Sequence, residues 1–167
     1  MHIVVIDIEE QPEVIQFSQE GIEWLQSRNS TENFKLSEYK LRSKQRESLY
    51  DFSPVKEVLN IDLVLLHTKT LINENGVFRD KLWLLELLKS FQFNASSKLI
   101  FYSGNISDFN SWLQEHVGHD EFGNIPNLSE VITKDVFELL YPTNFDSFEL
   151  WLEDEYKKAK NYGSSSF

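Results

Sequence analysis

The stretch Ile61-Asp62-Leu63-Val64-Leu65-Leu66-His67 decides how this chain is read. It is a nearly continuous apolar run, which predicts a β-strand buried on both faces, as in the middle of a parallel sheet. The run stops at a polar side chain, His67. Working outward, Ile3 to Ile6 is a second such run and predicts a first strand that ends at Asp7. Lys98 to Tyr102, ahead of Ser103-Gly104-Asn105, and Val131-Ile132-Thr133, ahead of Lys134, repeat the pattern. Phe34 to Leu41 alternates with period two instead, which predicts a half-exposed strand near a sheet edge.

Amphipathic stretches lie between these strands. Residues 11–28 place Val14, Ile15, Phe17, Ile22, Trp24 and Leu25 at helical spacing, with Pro12 suited to a first turn, where its missing N–H costs nothing. Residues 78–93 predict a buried helix through Leu82, Trp83, Leu85, Leu87 and Leu88. Ser53-Pro54 reads as the opening of a short helix to Leu59. Ser107 or Asp108 caps a helix through Trp112, Leu113 and His116, and Asp146 or Ser147 opens a last one to about Lys160. Residues 42–52 and 118–127 read as connections, and Gly163-Ser164-Ser165-Ser166 as tail. The expectation is a single domain over residues 1–162 with a flexible 163–167. Its class is α/β, a doubly wound parallel sheet with helices on both faces.

Composition narrows the function classes. Hydrophobic residues make up 41% and aromatics 14%, which argues for a packed core rather than disorder. A net charge of −11 argues against nucleic acid, since phosphate neutralisation takes Lys and Arg, and favours a basic protein surface as partner. The absence of cysteine excludes disulfides, thiolate metal sites and cysteine nucleophiles. No apolar run approaches the roughly 18–20 residues of a membrane span. The N-terminal run, broken by Asp7, is too short and acidic for a signal peptide, so a soluble cytoplasmic protein is expected.

Several short motifs sit at strand ends: His2 to Glu9, Ile61 to His67, Phe101-Tyr102-Ser103-Gly104 and Val131-Ile132-Thr133-Lys134. Together, across roughly residues 1–160, they resemble the receiver (CheY-like) domains of response regulators. That resemblance implies a flavodoxin-like sheet of order 2-1-3-4-5, with its site beyond the carboxyl ends of the strands. It puts Asp7 at the first metal-site acid, Ser103 at the switch hydroxyl and Lys134 at the phosphate-pairing lysine. The departures matter as much. His67 stands at the phosphoacceptor aspartate, Ile8 at the second acid, Asp135 at the usual proline and Val131 at the switch aromatic. Aspartyl phosphorylation needs a carboxylate nucleophile and a Mg²⁺ ion held by oxygens. Only Asp7 clearly remains, with Glu9 and Glu10 as additional acids within reach. The resemblance therefore implies a degenerate pseudo-receiver with no metal and no cofactor.

Each candidate also has an ordinary explanation. Asp7 and Lys134 can form a salt bridge with His67 between them; the functional alternatives are that His67 and Lys134 hold the switch region in one conformation, or that His67 acts as a pH-sensitive element. His116-Val117-Gly118-His119-Asp120-Glu121 looks like a metal cluster but lacks the i, i+4 spacing of a zinc helix and reads as a solvated loop. Trp24, Trp83, Trp112 and Trp151 read as core. Phe148, Trp151, Leu152 and Tyr156 read as core or as an interface, and Glu149, Glu153, Asp154 and Glu155 as a solvated face. The leading expectation is a non-catalytic receiver-like regulatory domain acting by protein–protein contact with a kinase, an ATPase or a second copy of itself. The alternatives are a small α/β enzyme built on Asp7, His67, Ser103 and Lys134, and an acidic inhibitor or immunity-type protein.

Overall fold

A computed structural model describes residues 1–8, 13–41, 58–72 and 76–165, without the side chains of 41, 119 and 162–165. Among the described residues, β1 (His2–Ile8), β2 (Lys35–Leu41), β3 (Ile61–His67), β4 (Phe93–Ser103) and β5 (Leu128–Asp135) form one parallel sheet. Its order is β2-β1-β3-β4-β5, the doubly wound, flavodoxin-like arrangement that was expected. β1 and β3 are the central strands, which is why their apolar runs do not alternate. The period-two strand β2 takes an edge.

Two apolar layers enclose the sheet. Val4, Ile6, Val64, Leu66, Leu99 and Phe101 face α2 (Lys81–Ser90), α3 (Ile106–His116) and α4 (His119–Gly123). Ile3, Val5, Leu63, Leu65, Ile100 and Tyr102 face α1 (Glu13–Arg28), α5 (Val136–Leu140) and α6 (Phe148–Ser165). α1 and α6 come together at Gly21, where an added Cβ would lie 2.8 Å from the Leu152 Cδ2 carbon.

Several boundaries differ from the sequence reading. α2 is shorter than 78–93: Asp80 accepts from the Leu82 N–H at 2.8 Å to start it, and Phe93 already opens β4. Leu82 is exposed rather than buried. Within the predicted loop 118–127, α4 forms where the Gly118 N–H donates to the Glu121 carboxylate at 2.9 Å. α3 begins at Ile106, ahead of the predicted caps, and α5 was not anticipated. The Leu150 N–H donates to Ser147 Oγ at 3.3 Å at the start of α6, as expected, but the helix continues to Ser165. Gly163 to Ser165 thus carry helical backbone rather than a free tail. The predicted helix opening at Ser53-Pro54 and the connection at 42–52 lie outside the described residues.

The last helix corrects the interface reading. Phe148, Trp151, Leu152 and Tyr156 are all buried in the α1–α6 layer, with Tyr156 edge-on to Phe34 at 5.1 Å and Phe148 edge-on to Phe17 at 5.9 Å. Glu155 departs from the solvated face too: it is buried and pairs with Lys98 of β4 at 2.9 Å. Trp83 and Trp151 are core, while Trp24 and Trp112 are partly buried. No described helix is long and apolar enough to cross a membrane.

Candidate functional site

The sheet register places one polar row across the carboxyl ends of its strands. Asp7 lies beside Lys40 of β2, His67 beside Tyr102, and Tyr102 beside Lys134; Ile6 pairs with Leu66, which sets Asp7 next to His67. Neighbours in register share a face, so this row projects toward the α1–α5–α6 layer. Ser103 follows Tyr102 by one residue and falls on the face of Phe101, away from the row.

Within the row, Asp7 is fully buried. Its Oδ1 accepts from the Ile8 N–H at 2.7 Å, and its Oδ2 has no hydrogen-bond partner. Burial raises the Asp7 carboxyl from the ordinary 3.8 to about 6, while the Tyr102 hydroxyl and the Ile8 N–H pull it back down. The Tyr102 hydroxyl faces this carboxylate closely enough to couple with it but outside full hydrogen-bond geometry. Burial first, and then the Asp7 charge, push that hydroxyl well above its ordinary value. The His67 ring packs edge-on to Tyr102 at 4.9 Å and 73°.

Three of the strand-end polar groups, His67, Ser103 and Asp135, are engaged by the turn that follows them. His67 Nδ1 accepts from the Lys69 N–H at 3.1 Å and caps a 3-10 turn, Thr68–Leu71. That bond leaves the ring proton of neutral His67 on Nε2. Ser103 Oγ accepts from the Asn105 N–H at 3.0 Å, and Asp135 accepts from the Phe137 N–H at 2.8 Å to cap α5. These are the local side-chain-to-backbone bonds by which Ser, Asp and their kin close turns. Asp135 thus starts a helix.

The expected candidates are therefore only partly brought together. Asp7 and His67 are neighbours in register, and Tyr102 lies on the far side of His67 in the same row. Lys134 does not pair with Asp7; its Nζ lies over the Trp151 ring at 5.9 Å, which corrects the expected salt bridge. Ile8 is buried and offers no carboxylate. Glu9 and Glu10 lie outside the described residues. Tyr102 was missed by sequence reasoning, which took its strand for core and stopped at Ser103. The sequence showed a polar-tipped aromatic at a strand end; its register with His67 came only from the sheet.

In the His116 to Glu121 stretch, Glu121 pairs with Lys81 at 3.0 Å and His116 is exposed. Among the described residues no group of three or more His, Asp or Glu side chains is arranged to hold a metal. A cleft of about 560 Å³ opens at the opposite, amino-terminal ends of the strands, lined by His2, Ser37, Asp62 and Asn94. There His2 donates from Nδ1 to the Leu59 carbonyl at 2.9 Å and meets Ser37 Oγ at 2.8 Å, while Asp62 accepts from the His2 N–H and from Asn94. Its polar groups thus satisfy one another. No family model, curated protein or solved structure matches the chain.

Proposed function

We propose that this protein is a non-catalytic, receiver-like regulatory domain that works by contact with another protein. The observation that carries the reading is the engagement of strand-end groups by backbone. His67, Ser103 and Asp135 each accept an N–H of the following turn. In a working receiver the positions of His67 and Ser103 serve incoming phosphate; here those two groups hold turns closed and Asp135 caps a helix. Asp7, the remaining metal-site acid, is buried with a carboxyl raised to about 6, and Ile8 replaces its neighbour. A buried, partly neutral acid beside an isoleucine is a poor Mg²⁺ ligand set. The net charge of −11 directs the partner chemistry toward a basic surface.

The test is incubation with acetyl phosphate and Mg²⁺, followed by intact-mass measurement. The expected mass is unchanged. A phosphorylated species that disappears in His67→Ala or Asp7→Asn would overturn the proposal.

One observation favours a second reading, a small enzyme. Asp7 Oδ2 and the Tyr102 hydroxyl are buried, adjacent and without hydrogen-bond partners, and perturbed acids cluster at working sites. On that reading the acid–base set is Asp7, His67 and Tyr102, with Ser103 and Lys134 outside it. A turnover found by substrate screening and lost in Tyr102→Phe, with the fold intact, would favour it.

A further inference from the structure

β5 is an edge strand, and among the described residues its outer side pairs with no other strand. Its sequence, Leu128-Ser129-Glu130-Val131-Ile132-Thr133-Lys134-Asp135, is self-complementary when read against itself in the opposite direction. With Ile132 opposite Ile132 of a second copy, Glu130 falls opposite Lys134 of that copy and Lys134 opposite its Glu130. All three residues share one sheet face. On the other face Val131 falls opposite Thr133, twice. Opposite charges directly across an antiparallel pair stabilise it, and like charges destabilise it.

The register is selective. A slip by one residue in one direction sets Glu130 against Asp135, and a slip by two sets each charge against an apolar residue or leaves it unmatched. Charges on an edge strand ordinarily discourage indiscriminate pairing. Here Glu130 and Lys134 are matched as opposite charges in one register and in none of its neighbours. Glu130 is half-exposed and its contact with Lys98 is long, 3.4 Å, so it is available to a partner while Lys98 keeps Glu155 at 2.9 Å. Phe137, 68% exposed, lies just past the end of this edge.

The geometry points to a two-fold dimer in which the β5 edges of two copies pair antiparallel about Ile132, joining two five-stranded sheets into one. The occupant of this edge is a second copy of the chain because the charge pattern matches itself. An eight-residue edge with its flanking aromatic is a small interface, so the dimer is concentration-dependent. The inference stands apart from the regulatory reading above: it concerns the sheet edge, and the phosphorylation test does not bear on it.

The experiment is sedimentation velocity on the full chain over a wide concentration series, with circular dichroism to confirm that every variant is folded. Wild type is expected to dimerise. Glu130→Lys and Lys134→Glu each set two like-charge pairs face to face and are expected to weaken the dimer roughly tenfold or more. Mixing the two variants restores both pairs as opposite charges, so a heterodimer should form; the double variant Glu130→Lys/Lys134→Glu should dimerise as wild type does. A wild type that stays monomeric throughout overturns the proposal. So do single variants that dimerise undiminished, or folded variants that fail to associate when mixed.

Discussion

Asp7 holds a carboxylate where water does not reach, and its chemistry follows from that placement. One oxygen takes the Ile8 N–H, the other has no partner, and burial raises the group to about 6. A carboxyl raised in the folded state binds its proton more tightly there than in the unfolded chain. Its favourable contribution is therefore full below the ordinary 3.8 and is lost as pH rises to about 6 and beyond. The loss corresponds to about 3 kcal/mol at neutral pH. Asp7→Asn keeps an oxygen for Ile8 and removes the charge. It is expected to exceed wild type in stability by up to about 3 kcal/mol near pH 8 and to match it below about pH 4. Urea unfolding across pH checks this; a difference independent of pH would contradict it. The sequence made Asp7 and His67 legible as strand ends, because an apolar run must stop somewhere polar. Whether such a group faces a ligand or bends back to its own backbone depends on the path of the next two residues. For His67, Ser103 and Asp135 that path runs through the group's own hydrogen bond.

Among the elements, α6 shows where pattern alone falls short. Its apolar residues are evident from spacing, but core and interface faces carry the same residue types. Trp151 became core because α6 lies across β4 and against α1, with Gly21 admitting the Leu152 side chain. Trp151→Ala is expected to cost about 3–5 kcal/mol in urea unfolding of the protein alone, the magnitude of a buried aromatic truncation. An interface tryptophan would leave the isolated protein near wild type. α4 and α5 escaped the sequence reading for a related reason. Helices of one turn or slightly more have little periodicity, and their starts depend on single bonds, Gly118 to Glu121 and Phe137 to Asp135.

For the molecule as a whole, the dominant electrostatic fact is a net charge of −11 on 167 residues. Folding draws those charges together, and self-repulsion opposes the compact state. Raising salt from about 0.01 M to about 0.1 M shortens the screening length from about 30 Å to about 10 Å. The urea midpoint at neutral pH is therefore expected to rise with sodium chloride over that range. Exposed pairs such as Lys158–Asp154 contribute too little to reverse the trend. A midpoint that falls with added salt would show that attractive pairs outweigh the net repulsion.

The sequence by itself determined the α/β class, the strand–helix alternation and the central position of the β1 and β3 runs. Those features follow from local burial: a strand covered on both faces must be apolar throughout, and an edge strand need not be. Tertiary structure alone decided which strand-end groups meet. Asp7, His67 and Tyr102 are far apart along the chain and adjacent only through register, whereas Lys134, in the same row, turns to Trp151. Register and side-chain direction are set by the packing of the whole sheet against its helices, and no short stretch of sequence encodes them.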